Sequence, residues 1–259
     1  MEYTLIIPDV HGRRFWRTAV DRCPNSEVIF LGDYLDPYPW EGISHDEAFR
    51  EMMDIIDFKK ANRERVTLLL GNHDLGYLDE RINTCRRDEY GAARNRKMLE
   101  SNLDLFDIVH TLGIKTGEVL FSHAGIADTW IKNNRWLCED GQFRPEILNE
   151  LLHNPDAIEV LFKSLSQVSA YRGGLDDVGS PVWADVDEFT VSGDFLPGYM
   201  HVFGHSLQDW GPIYVNGKET DGWCLDCRKP FLMDDNGNLY HFPDADEPLR
   251  AKKPLCRKV

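Results

Sequence analysis

Five apolar runs, at residues 4–8, 28–31, 66–70, 119–121 and 200–203, each give way at once to a polar motif. The motifs are Asp9-Val10-His11-Gly12, Gly32-Asp33-Tyr34-Leu35-Asp36, Gly71-Asn72-His73-Asp74, Ser122-His123-Ala124-Gly125 and Gly204-His205-Ser206. Such short runs, closed by Gly and polar residues, predict buried strands. Between them the period lengthens. Ser44 and Glu47 form a capping box ahead of Phe49, Met52, Met53 and Ile56 at helical spacing. A helix is expected over residues 91–105, and residues 126–171 read as a mostly helical insert. Within it, Asn154-Pro155 reads as the N-cap and first turn of a helix over residues 157–165. Strand patterns return at residues 213–215, 223–225, 231–233 and 239–242, with Asn236-Gly237 as a hairpin turn. The alternation makes this an α/β chain and places the motifs at C-terminal strand ends, where open sheets collect ligands. No repeat, low-complexity tract or linker interrupts it, so residues 1–259 are expected to form a single domain.

Composition adds exclusions. A formal net charge of −15 argues against a nucleic-acid backbone as partner, while a site with bound cations can still reverse the potential locally. No apolar stretch approaches the ~20 residues of a membrane helix and no signal segment opens the chain, so a cytoplasmic protein is expected. Cys224 and Cys227 have C-x-x-C spacing, but no second close pair completes a four-cysteine zinc site, and both are read as structural.

The chemistry lies in Asp9, His11, Asp33, Asn72, His73, His123 and His205. These oxygen and imidazole donors, with no thiolate, suit manganese, iron or zinc. Asp9 and His11 can share one ion if the chain bends at Gly12; Asp33 can bridge two; Asn72, His123 and His205 complete the second. Two divalent cations outweigh Asp9, Asp33 and a bridging hydroxide by one positive charge, which favours a phosphate ligand. His73, oriented by Asp36, is placed to protonate a leaving group. Each motif alone has a bland reading as a turn or a satisfied histidine; five in order do not. His45, His110, His153 and His241 are read as structural, and His201 shares the strand face of His205.

This set resembles the signature of the calcineurin-like metallophosphoesterase superfamily, D-x-H, G-D-x-x-D, G-N-H-[DE], a later His and G-H, across residues 4–206. The resemblance implies a four-layer αββα sandwich. It also implies two divalent ions, manganese first, with Asp9, His11 and Asp33 on one and Asp33, Asn72, His123 and His205 on the other. His73 would be the proton donor, paired with Asp36. The chain looks most like the phosphoprotein phosphatase branch: Leu207 stands where many relatives carry the last His of G-H-x-H. Ser169-Ala170-Tyr171-Arg172-Gly173 resembles that branch's Arg-Gly element, which would put Arg172 on phosphate. Two family arginines are replaced, by Pro37 and Leu70, and Asp74 stands for Glu. Arg13, Arg14, Arg86, Arg87, Arg94 and Arg96 are candidates to substitute. The activity implied is hydrolysis of phosphate monoesters, protein phosphoserine and phosphothreonine among them, by a hydroxide held on a dinuclear metal centre. The alternative is a nucleotide pyrophosphohydrolase, such as one acting on diadenosine polyphosphates, with Tyr34, Tyr38 and Trp40 stacking a base.

Overall fold

A computed structural model describes residues 3–244, 247 and 254–256. The apolar runs become strands β1 (Thr4–Ile7), β2 (Val28–Phe30) and β3 (Val66–Leu69), parallel neighbours in one sheet. A short β4 (Phe106–Asp107) extends that sheet beyond β3. The second sheet holds β5 (Val109–Ile114), β6 (Gly117–Ser122), β7 (Met200–Phe203), β8 (Ile213–Val215) and β9 (Gly222–Cys224), in the order β5-β6-β7-β9-β8. The chain then returns to the first sheet, where β10 (Phe231–Met233) pairs antiparallel with β1, and β11 (Leu239–His241) pairs with β10. As expected, Asn236-Gly237 turns that last hairpin, with Gly237 at φ +77°.

The central runs are continuously apolar because both of their faces are buried. Leu5 and Ile7 face one hydrophobic cluster while Ile6 faces another, and Val28 with Phe30 and Ile29 with Leu31 divide the same way. Ile6, Ile29 and Leu69 meet Val119, Phe121, Val202 and Trp223 in the layer between the sheets. Helices cover the outer faces: α1 (Phe15–Arg22) and α2 (His45–Ala61) on the first sheet. On the second, Phe189 of α8 (Val186–Ser192) lies 5.6 Å from Phe203. This is the four-layer sandwich.

Helix ends follow their caps. Ser44 Oγ accepts from Glu47 N–H, and the Glu47 carboxylate accepts from Ser44 N–H at 2.9 Å, completing the capping box. Three short helices, α5 (Asp128–Asn133), α6 (Ile147–Leu152) and α7 (Ile158–Leu165), fill the insert. Two readings shift. The helix expected over residues 91–105 is α4 (Ala92–Glu100), ended where Asn102 turns its side chain back to the Met98 carbonyl. Asn154 caps a separate turn through Asp156 N–H, so α7 begins four residues after it.

Candidate metal centre

Each motif begins at the C-terminal end of a parallel strand, and the third runs straight into α3 (Asn72–Leu78), which follows β3. His11 and Gly12 take φ of +44° and +76°, which makes the expected bend. The N–H groups of Val10 and His11 both donate to the Asp33 carbonyl, tying the first motif to the second. Two glycines permit close approach. A Cβ on Gly71 would fall 2.1 Å from Asp33 Oδ1, and one on Gly204 would fall 2.1 Å from Asp9 Oδ2.

The donors then form two groups that share Asp33. Ligand atoms of Asp9, His11 and Asp33 lie within 4.8 Å of one another, as do those of Asp33, His123 and His205. Asp33 Oδ2 is 3.5 Å from both His11 Nε2 and His123 Nε2. Asn72 Oδ1 joins the second group, 3.0 Å from His123 Nε2. Tautomers are fixed from behind: His11 Nδ1 donates to the Leu35 carbonyl at 2.7 Å and His123 Nδ1 to the Leu31 carbonyl at 2.8 Å. Both Nε2 lone pairs therefore face inward. His205 Nδ1 lies 3.2 Å from His123 Nε2, so these two nitrogens and Asn72 Oδ1 converge on one point. Such a cluster is repulsive by itself and fits a cation.

The charges agree. Burial lowers His123, and lowers His11 and His205 well below the ordinary imidazole range, keeping all three neutral as ligands must be. Burial pushes Asp33 up, but the charge of the raised His73 and the His73 N–H outweigh it and hold the carboxyl at about 2. Asp9 is raised well above the carboxylate range by burial, then by Asp226 and Asp33. Its carboxylate still accepts the His205 N–H at 3.0 Å.

His73 Nδ1 donates to Asp36 Oδ2 at 2.7 Å. Burial lowers His73, yet the Asp33 charge and the Asp36 hydrogen bond raise it to about 10. The phenol of Tyr77 donates to the other Asp36 oxygen and accepts the Asp88 N–H at 2.8 Å, so Asp36 is held on both sides. Arg86 Nη2 stands 3.3 Å from His73 Nε2, its Nε donates to the Asp36 carbonyl, and its guanidinium covers the Tyr38 ring at 3.9 Å. Among the described residues no carboxylate lies within ion-pair distance of Arg86.

The other candidate arginines are engaged elsewhere. Arg13 pairs with Glu41, Arg14 with Glu51, and Arg94 with Asp46 and Asp88. Arg96 donates to the Tyr77 carbonyl, and Arg87 lies over the Tyr77 ring. Arg172 reaches the rim beside His205, with Nη2 donating to Ser206 Oγ at 2.8 Å and Nε 2.6 Å from Asp185 Oδ2. Of the aromatics, Tyr34 is wholly buried with its hydroxyl on the Leu69 carbonyl and cannot stack a ligand. Tyr38 lies 5.1 Å from His11, and Trp40, 71% exposed, packs on it. His201 points away from the site, donating to the Leu196 carbonyl and stacking on Phe195. Cys224 and Cys227 are free and buried, with Cys224 Sγ on the carbonyls of Gly204 and Ser206.

Two facing sheets that deliver such a donor set to one rim are the build of a metal-dependent phosphoesterase. A model of the calcineurin-like phosphoesterases matches residues 3–209, and the chain belongs to that family. Among solved structures the fold is similar to a protein serine/threonine phosphatase from Saccharomyces cerevisiae with similarity to human phosphatase PP5. That match has a TM-score of 0.54 and 13% identity, covering 96% of this chain and 82% of the other. A hypothetical protein from Pyrococcus horikoshii OT3 aligns with a TM-score of 0.45 and 12% identity, over 93% of this chain and 87% of that one.

Proposed function

We propose that this chain is a phosphatase that hydrolyses phosphate monoesters with two divalent ions, manganese first. Asp9, His11 and Asp33 would hold one ion, and Asp33, Asn72, His123 and His205 the other. The ions supply electrophilic activation of the phosphoryl group and of water. The observation that carries the reading is the His73–Asp36 pair, 2.7 Å apart, standing beside both donor groups. Asp36 fixes the imidazole so that Nε2 points outward, and its hydrogen bond to Nδ1 favours the protonated ring that a leaving-group acid requires.

Arg86 takes the place left by Pro37. A protonated His73 and the Arg86 guanidinium stand 3.3 Å apart, and both reach the Cys85 thiol, whose Sγ accepts from Arg86 Nη1 at 3.2 Å. A phosphoryl oxygen bridging them would accept from both, with Arg172 approaching from the His205 side. The pyrophosphohydrolase reading is supported by the Tyr38–Trp40 pair, whose exposed indole offers a face to a base.

Manganese-loaded protein offered p-nitrophenyl phosphate, a phosphoserine peptide and diadenosine tetraphosphate should turn over the first two, and Asp33→Asn should abolish that turnover. Full activity of Asp33→Asn would overturn the assignment. Cleavage of the dinucleotide alone would select the alternative.

A further inference from the structure

Asp226 is not absorbed by this account. It follows β9, the strand paired with β7, and its carbonyl accepts the Gln208 N–H at 2.7 Å, so it lies alongside the His205–Leu207 turn. Its side chain is 1% exposed, and Oδ1 has no hydrogen-bond partner. A buried carboxylate oxygen without a donor costs free energy, and native structures retain few of them. Three arginines lie in its field, yet each is committed to another carboxylate: Arg13 to Glu41, Arg228 to Asp209 and Arg172 to Asp185. The Asp226 carboxylate raises Asp9, and Asp33 raises both. Three buried carboxylates therefore share one side of the site, offset only by arginines that are already paired with other carboxylates. On the opposite side His123, His205 and Asn72 carry no charge.

We propose that Asp226 is a further carboxylate of the cation site formed by Asp9, His11 and Asp33, acting as a positioning residue behind that trio. This rests on the reading above. Asp226 does not join the trio within its 4.8 Å span, so it acts at one remove, through its charge. It stands beside Leu207, the position at which the chain departs from the G-H-x-H pattern. A carboxylate from the neighbouring strand thus adds negative charge on the side where Leu207 supplies no ligand.

The test is manganese titration of the metal-free protein, followed by calorimetry and by the electron paramagnetic resonance of bound Mn(II), for wild type and Asp226→Asn. The amide keeps the shape and removes the charge. One ion should bind about 10–100-fold more weakly, the range for residues that support metal ligands, while the other keeps its affinity. The metal-free melting temperature should not fall, since a like-charge contact has been removed. Unchanged affinity at both sites would overturn the inference. So would an equal loss at both with a lower metal-free melting temperature, which would mark Asp226 as a structural charge. A wild-type chain that bound no manganese would instead remove the phosphatase reading on which this one rests.

Discussion

Gly204→Ala tests how closely the site is built. The new Cβ would fall 2.1 Å from Asp9 Oδ2, where an ordinary carbon–oxygen contact needs about 3.4 Å, so something must yield by roughly 1.3 Å. Little can. Asp9 accepts the N–H of His205 through both oxygens at 3.0 and 3.1 Å, and Asp9 is itself buried. Metal–ligand distances tolerate about 0.2 Å, so a shift of this size removes Asp9 as a donor. The affinity of that ion should fall at least ~100-fold, or about 2.7 kcal/mol. Overpacking adds about 1–3 kcal/mol of destabilisation, worth roughly 2–12 °C in melting temperature for a chain of this size. Gly113→Ala is the control: it lies on β5 with nothing within 4 Å of the added Cβ, and should change neither quantity. Isothermal titration with manganese reads the result as a fall from two bound ions to one at matched protein concentration. Two ions bound at wild-type affinity by Gly204→Ala would refute the argument.

Three further outcomes follow from the same geometry. Asp36→Asn leaves His73 without its charged partner and should slow alkyl phosphates by about 10²-fold while affecting p-nitrophenyl phosphate much less; equal losses would argue against His73 as the acid. Arg86→Gln should raise the inhibition constant for inorganic phosphate about tenfold with manganese affinity unchanged, and an unaltered constant would remove Arg86 from the phosphate site. The metal-free protein should lose melting temperature between about pH 4 and 7 as Asp226 gives up its proton. Burial raises Asp226 from 3.8 to about 7, so its contribution is complete below the unfolded value and is lost as the pH rises through the folded one. Manganese, by displacing the proton from the raised Asp9, should oppose that slope; a metal-free melting temperature that climbed across the range would contradict it.

The five strands that lead into the motifs, and the seven residues that meet beyond them, were legible because each couples a local pattern to a fixed position. An apolar run, buried on both faces, ends in a short polar motif whose donor follows within three residues, and at Gly71 and Gly204 the missing side chain lets a carboxylate come close. The His73–Asp36 pair was legible for the same reason, since its partners leave adjacent parallel strands. Strand β5 was missed: its run Val-His-Thr-Leu-Gly-Ile buries only Val109 fully, so the sequence lacks a two-faced apolar signal. Arg86 could not be separated from five other arginines, because all carry the same charge and only contacts distant in sequence decide which one stands against His73. Glu41 and Glu51 remove Arg13 and Arg14, while Asp46 and Asp88 remove Arg94. Tyr34 was misplaced because nearness to Asp33 along the chain says nothing of direction, and its ring turns into the core beneath the motif.

Backbone strain gives the same site a second signature. Seven non-glycine residues among those described have positive φ, and five of them meet at this centre: His11 (+44°), Asp33 (+52°), Asp36 (+57°), Arg86 (+63°) and His205 (+65°). Each such conformation costs on the order of 1 kcal/mol and persists only where surrounding bonds over-determine it. Asp74 supplies much of that constraint. Its carboxylate accepts the N–H groups of Asp33 at 2.8 Å, Tyr34 at 3.0 Å and Gly71 at 3.0 Å, so one buried side chain binds the second motif to the third. The family Glu at this position is one methylene longer. Asp74 reaches these three donors from the first turn of α3, whose N-cap is Gly71 itself. The donors are therefore set before any ion binds. Cation binding then has little ordering entropy to overcome and a crowd of like charges to relieve, which favours tight binding over flexible exchange.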